Sequence, residues 1–147
     1  MRKNGKDYGV RSRRLWFKRG YKYQTTRLYY VELNVVPFAP IDLPFVRMDE
    51  NGRTFVWPGY AWNGASGPTF DTLDTMITSL VHDLGYQLIR LGLIDPSYKS
   101  YFDELLLVIG VEDGMAEVRA KGWKAAVEIF GEDSCRPSAE PKEEVAP

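Results

Sequence analysis

Residues 71–110, DTLDTMITSLVHDLGYQLIRLGLIDPSYKSYFDELLLVIG, decide the fold, because they hold two helical patterns separated by a short break. Asp71 and Thr72 are good residues to start the first helix. Leu73, Met76, Ile77, Leu80, Val81, Leu84, Leu88 and Leu91 then recur at the spacing of one helix face. Gly92 is a natural stop. Asp95-Pro96 opens the second helix: Asp accepts the free amides of a first turn, and proline is tolerated there because its missing N–H has no partner to lose. That helix is predicted to run through Ile109 and end at Gly110. A break this short makes the two helices antiparallel neighbours.

Working outward, a third helix is predicted from about Met115 to Phe130, with Met115, Val118, Trp123, Ala126, Val127 and Phe130 inward and Gly131 at its end. On the N-terminal side the pattern is β. Residues 27–35, RLYYVELNV, are rich in β-branched and aromatic side chains with partial alternation. Phe45–Met48 and Thr54–Trp57 flank Asn51-Gly52, a strong hairpin signal. Gly59, Gly64, Gly67 and Pro68 make residues 59–70 a loop. The fold class that follows is α+β: a small antiparallel sheet in the N-terminal half packed on a three-helix C-terminal half, spanning residues 21–131.

The flanks read differently. Residues 1–20 hold eight Lys/Arg against Asp7 alone, leaving 11 bases and 19 acids for the rest of the 147-residue chain. Such a basic arm suits nucleic acid, anionic lipid or an acidic protein, and aromatics among the bases strengthen that expectation. The contact residues it nominates are Arg13, Arg14, Trp16, Lys18 and Arg19. Residues 132–147, EDSCRPSAEPKEEVAP, hold three prolines and seven charges, the composition of a disordered tail. Nothing reads as a transmembrane segment or a secretory signal. Cys135 is the only cysteine, so no internal disulfide forms, and a reducing compartment is expected.

Chemistry concentrates in His82-Asp83-Leu84-Gly85-Tyr86. His82 is the only histidine, and it and Tyr86, one turn later, project roughly opposite the apolar stripe. Gly85, inside the helix, marks a close approach by another backbone or a ligand. At about 1.5 Å per residue, His82 and Asp103 both lie roughly 12–15 Å from the break. They are therefore level across the hairpin. A buried Asp103 needs a partner, and His82 and Tyr86 are the candidates. A carboxylate on one imidazole nitrogen fixes the tautomer and leaves the other nitrogen to take a proton from water. Asp83, about 100° round the helix, could instead meet carbonyls of the 59–70 loop, a donor set suited to calcium. Three readings stay open: a purely structural hydrogen-bond network, a hydrolytic site, and a partner-binding surface. With one histidine and a tail cysteine, neither a zinc site nor a Cys-His nucleophile is indicated. Ser66 and Ser79 lack the elbow of a serine hydrolase.

Five ordered blocks, residues 59–68, 79–86, 102–103, 109–111 and 126–131, resemble those of the domain of unknown function 1353 family, found in tailed bacteriophages and prophages. That resemblance implies a phage context, either the host cytoplasm or the assembled virion, and no activity. The His-Asp-x-x-Tyr motif, with a Gly-rich loop before it and an Asp after it, is also similar to secreted and parvoviral phospholipases A2. This implies His82 as the base that activates water, Asp103 as its orienting group and Tyr86 as the partner of that Asp. It further implies calcium held by Asp83 with Gly64 and Gly67, and a phospholipid or other ester as substrate. The alternative is a non-enzymatic virion, tail or host-factor-binding component in which the same residues only rigidify the hairpin.

Overall fold

Alternation in the first half of the chain produces short strands, kept short by Pro37, Pro40, Pro44 and Pro58. The computed structural model describes residues 2–3, 6–7, 14–17, 21–65 and 71–146. In chain order the strands are β1 (Arg2–Lys3), β2 (Lys6–Asp7), β3 (Leu15–Phe17), β4 (Tyr23–Gln24), β5 (Tyr29–Glu32), β6 (Ile41–Asp42), β7 (Val46–Met48), β8 (Arg53–Val56), β9 (Ala61–Trp62) and β10 (Glu144–Ala146). The main sheet is fully antiparallel with order β5-β8-β7-β6. Val46, Met48, Thr54 and Val56 point inward from β7 and β8, while Arg47 and Arg53 point to solvent. Smaller pairs join β1 to β2, β4 to β9, and β3 to β10.

The Asn51-Gly52 hairpin forms as the sequence predicts, with Met48 opposite Thr54. The Asp49 carboxylate accepts the Asn51 and Arg53 amides, each at 2.9 Å. Gly52 has φ 78°, and a Cβ there would lie 2.0 Å from the Leu33 carbonyl oxygen. Glycine is required on both counts.

The helical half is α1 (Met76–Arg90), α2 (Lys99–Glu112) and α3 (Glu117–Phe130). A 3-10 turn, Leu73–Thr75, leads into α1, and the Thr72 amide donates to Thr75 Oγ1 at 3.0 Å. Another, Pro96–Tyr98, leads into α2, where Asp95 Oδ1 accepts the Ser97 amide at 2.8 Å. α1 and α2 form the expected antiparallel hairpin, closed at Gly92 with φ 69°.

Three expectations need correction. Burial of α1 extends beyond its apolar stripe: it buries Leu80, Val81, Leu84 and Leu88, but also His82, Gly85, Tyr86 and Ile89. The helix's apolar side chains share one core with Val46, Met48 and Val56 of the sheet, while Asp103 of α2 and Gly131 close over His82 and Tyr86, which the helical wheel alone leaves outside. Conversely, Leu73 and Val118 are almost fully exposed, and Phe130 is 77% exposed. Gly110 does not end α2. It lies inside the helix, where Met115 packs so closely that an added Cβ would sit 3.3 Å from its Cε.

The third difference is the C-terminal segment. Residues 132–146, compositionally a disordered tail, run as two 3-10 turns, Glu132–Cys135 and Pro137–Ala139, and then β10, which pairs with β3. The acidic end of the chain thus holds part of the basic arm. No helix among the described residues is long and apolar enough to cross a membrane.

Candidate functional site

The hairpin brings His82 and Asp103 level, as the helical rise requires. His82 Nε2 lies 3.0 Å from Asp103 Oδ1, and the Tyr86 hydroxyl donates to the same oxygen at 2.7 Å. Gly85 makes this approach possible. A Cβ there would fall 2.3 Å from ring carbons of Phe102, the residue before Asp103. The close approach is thus an aromatic ring of α2 rather than a ligand or a backbone.

Asp103 is 1% exposed and would be costly as a lone buried charge. It is not alone. Lys99, one turn earlier on α2, donates to Oδ2 at 2.7 Å and also to the Val127 carbonyl of α3 at 3.2 Å. Asp103 and Lys99 together therefore tie all three helices. Burial works against its charge, yet the bonds from His82, Lys99 and Tyr86 outweigh burial and hold its pKa below 3.8. With Asp103 ionised, Nε2 of His82 carries the proton and donates it. Burial also opposes a charge on the imidazole, but Asp103 and Asp83 together overcome this and raise the His82 pKa above 6.5. Burial first, and then the bond to Asp103, push the Tyr86 hydroxyl up, so it remains a donor.

The second nitrogen, Nδ1, is 3.9 Å from Asp83 Oδ1. That is too long for a direct hydrogen bond and short enough for one bridging water. His82 is 7% exposed, and with Asp83 it lines a cavity of about 610 Å³. Asp103 does not line it. The imidazole thus separates a dry, charged anchor from a cavity, within the size range of small-molecule sites.

Asp83 Oδ2 accepts the Asn63 amide at 3.3 Å, and Asp71 Oδ1 accepts the Ala65 amide at 2.7 Å. The described part of the Gly-rich loop therefore turns N–H groups, not carbonyls, toward these carboxylates. Gly64, with φ 78°, packs against Asp71 and Tyr23. Gly67 lies outside the described residues, as do Arg13, Lys18 and Arg19. Arg14 is exposed, and Trp16 falls in β3. Among the described residues no group of three or more His, Cys, Asp and Glu is arranged to hold a metal ion.

Two parts of the site escape sequence reasoning. Lys99 stands four residues before Asp103, the spacing of a helical ion pair, so that signal was present. The other part had no signal. The segment 131–141 forms a wall of the cavity through Gly131, Ser134, Ala139 and Pro141. It is clasped to α1 by Arg90, which donates from Nε to Glu140 at 3.0 Å and from a terminal nitrogen to the Ser134 carbonyl at 3.0 Å. Gln87 bridges Glu140 to the Tyr60 hydroxyl. Cys135, in the same segment, is half-buried, and burial pushes its thiol up to about 11, which makes it a poor nucleophile.

Fold and site define an α+β protein with a buried His–Asp pair at the edge of a cavity. Comparison with family models, with curated proteins and with solved structures yields no match.

Proposed function

We propose that this chain is a hydrolase in which His82 is the general base, Asp103 orients it, and Tyr86 and Lys99 hold Asp103. The observation that carries the proposal is the division of the imidazole: Nε2 is committed to Asp103 at 3.0 Å, while the ring still borders a cavity that Asp103 does not reach. Nδ1 then takes a proton from water as that water attacks an ester carbonyl. The imidazolium formed is stabilised by Asp103, and it returns the proton to the departing alkoxide, giving a carboxylic acid and an alcohol. Ala126, Val127 and Phe130 of α3 give the cavity an apolar wall for an acyl group. A phospholipid is one ester of this kind. The phospholipase resemblance would place calcium on Asp83 with carbonyls of the 59–70 loop, but the described part of that loop turns N–H groups toward Asp83. The reaction above is not routed through it, because Asp83 already engages the Asn63 amide.

A second reading draws on Lys99. Its bonds to Asp103 and to Val127 are what a purely structural bolt would need. In that case the chain serves as a phage virion, tail or host-factor-binding component, and the basic arm is its contact.

The deciding assay offers nitrophenyl esters of increasing acyl length, and then mixed phospholipid vesicles, to wild type and His82→Asn, with and without calcium. Hydrolysis by wild type that falls about 10²–10⁴-fold in a folded His82→Asn is the expected outcome. Equal rates in the two proteins would eliminate the hydrolase and leave the structural bolt.

A further inference from the structure

The cavity beside His82 carries an imbalance that hydrolysis does not explain. Five aromatic residues line it: Tyr21, Tyr60, Trp62, Tyr86 and Phe130. Three of them have their polar atoms committed to protein groups. Tyr60 donates to Gln87 at 2.9 Å, Trp62 to Ser79 at 3.1 Å and Tyr86 to Asp103 at 2.7 Å. Tyr86 already meets the Lys99 ammonium at 5.6 Å and His82 at 4.1 Å, and Trp62 meets Tyr23 at 5.5 Å, so the ring surface left to a ligand is that of Tyr60, of Phe130 and of the side of Trp62 turned from Tyr23. Among the described residues its lining also holds one Arg and no Lys, and that Arg90 is already engaged by Glu140 and the Ser134 carbonyl.

Asp83 is the carboxylate left over. Its side chain is 30% exposed. Oδ2 takes the Asn63 amide, and the nearest cationic candidate for Oδ1 among the described residues is His82 at 3.9 Å. A carboxylate set among aromatic rings attracts a compact organic cation. The carboxylate supplies Coulomb attraction, and the negative ring faces accept the spread positive charge. From this arrangement we infer that the cavity is a binding site for a small organic cation, an ammonium or guanidinium group, anchored by Asp83. The inference goes beyond ester hydrolysis: a cation held here could be part of a substrate or a separate ligand, and binding does not require that His82 act as a base.

The test is calorimetry on the full chain with choline, its neutral tert-butyl analogue and arginine methyl ester. Asp83→Asn removes the charge but keeps an oxygen for the Asn63 amide, so the loop contact survives. Phe130→Ala trims an exposed ring at the cavity rim and leaves the core intact. At least one cation should bind more tightly than the neutral analogue, weaken by about tenfold or more in Asp83→Asn, and weaken by a few-fold in Phe130→Ala. Higher salt should also weaken it. Choline preferred over the arginine ester points to a lipid-type head group, and the reverse to a peptide-type side chain. Equal binding of choline and its neutral analogue, binding undiminished in Asp83→Asn, or no cation bound at all would each overturn the inference. Because the ester assay reads His82 and calorimetry reads Asp83, the hydrolase proposal and this one fail separately.

Discussion

The α1–α2 hairpin and the segment 131–146 lie against each other, yet they owe their order to different physics. The hairpin is held by apolar packing along most of its length and by one carboxylate, Asp103, that gathers donors from α1 and α2. The C-terminal segment contributes little to the core. It is held by charge and backbone pairing: Arg90 to Glu140, Arg90 to the Ser134 carbonyl, and β10 to β3. Order in the first is a property of local pattern. Order in the second is borrowed from the surface on which it lies.

The comparison is broken most severely at Asp103. Asp103→Ala takes the acceptor from the His82 N–H and the Tyr86 hydroxyl and leaves Lys99 with the Val127 carbonyl and no counter-charge, and is expected to cost about 3–5 kcal/mol in urea denaturation. Asp103→Asn, which keeps one acceptor, should cost less. A loss under about 1 kcal/mol for the alanine variant would mean that packing alone holds the hairpin.

A milder perturbation is pH. The folded-state pKa of His82 is raised above 6.5, so its stabilising contribution is complete below the unfolded value and is lost as pH rises through the raised one. Asp103 is the reverse: held below 3.8, it stabilises above its unfolded value and fails as pH falls through the lowered one. Urea midpoints should therefore decline as pH rises above the unfolded value of about 6.5, and His82→Gln should flatten that decline. A slope unchanged in the variant would place the titrating group elsewhere.

The segment should respond separately. Arg90 and Glu140 are partly buried, with side chains 14% and 16% exposed, so Glu140→Gln should cost about 1 kcal/mol. Hydrogen exchange should then speed up in residues 132–141 while α1 and α2 keep their protection. Equal acceleration in both would show that the two regions unfold as one unit. The smallest effect is expected at Leu73, which is 92% exposed although it belongs to the apolar stripe of the sequence. Leu73→Ser should shift stability by less than about 0.5 kcal/mol.

The dyad was legible because a helix is regular. His82, Tyr86 and Asp103 sit at distances from Gly92–Asp95 that a constant rise converts into position, and the contacts at 3.0 and 2.7 Å follow. The hairpin turn was legible because Asn51-Gly52 is a local signal and the φ of 78° at Gly52 is a local reason to be glycine; its close approach to the Leu33 carbonyl was not legible. Burial was less legible. Val118 and Phe130 share the apolar pattern of buried residues yet are exposed, while His82 is buried.

By itself, then, the sequence determined the α+β order of elements, the hairpin, and the meeting of His82 with Asp103 and Tyr86. Each depends on backbone geometry that repeats along the chain. Only the tertiary structure decided that α1 is buried nearly all round, that Lys99 ties α2 to α3, and that residues 131–141 wall the cavity through Arg90 and Glu140. Those depend on which surfaces meet, and composition carries no record of a partner lying 50 residues away.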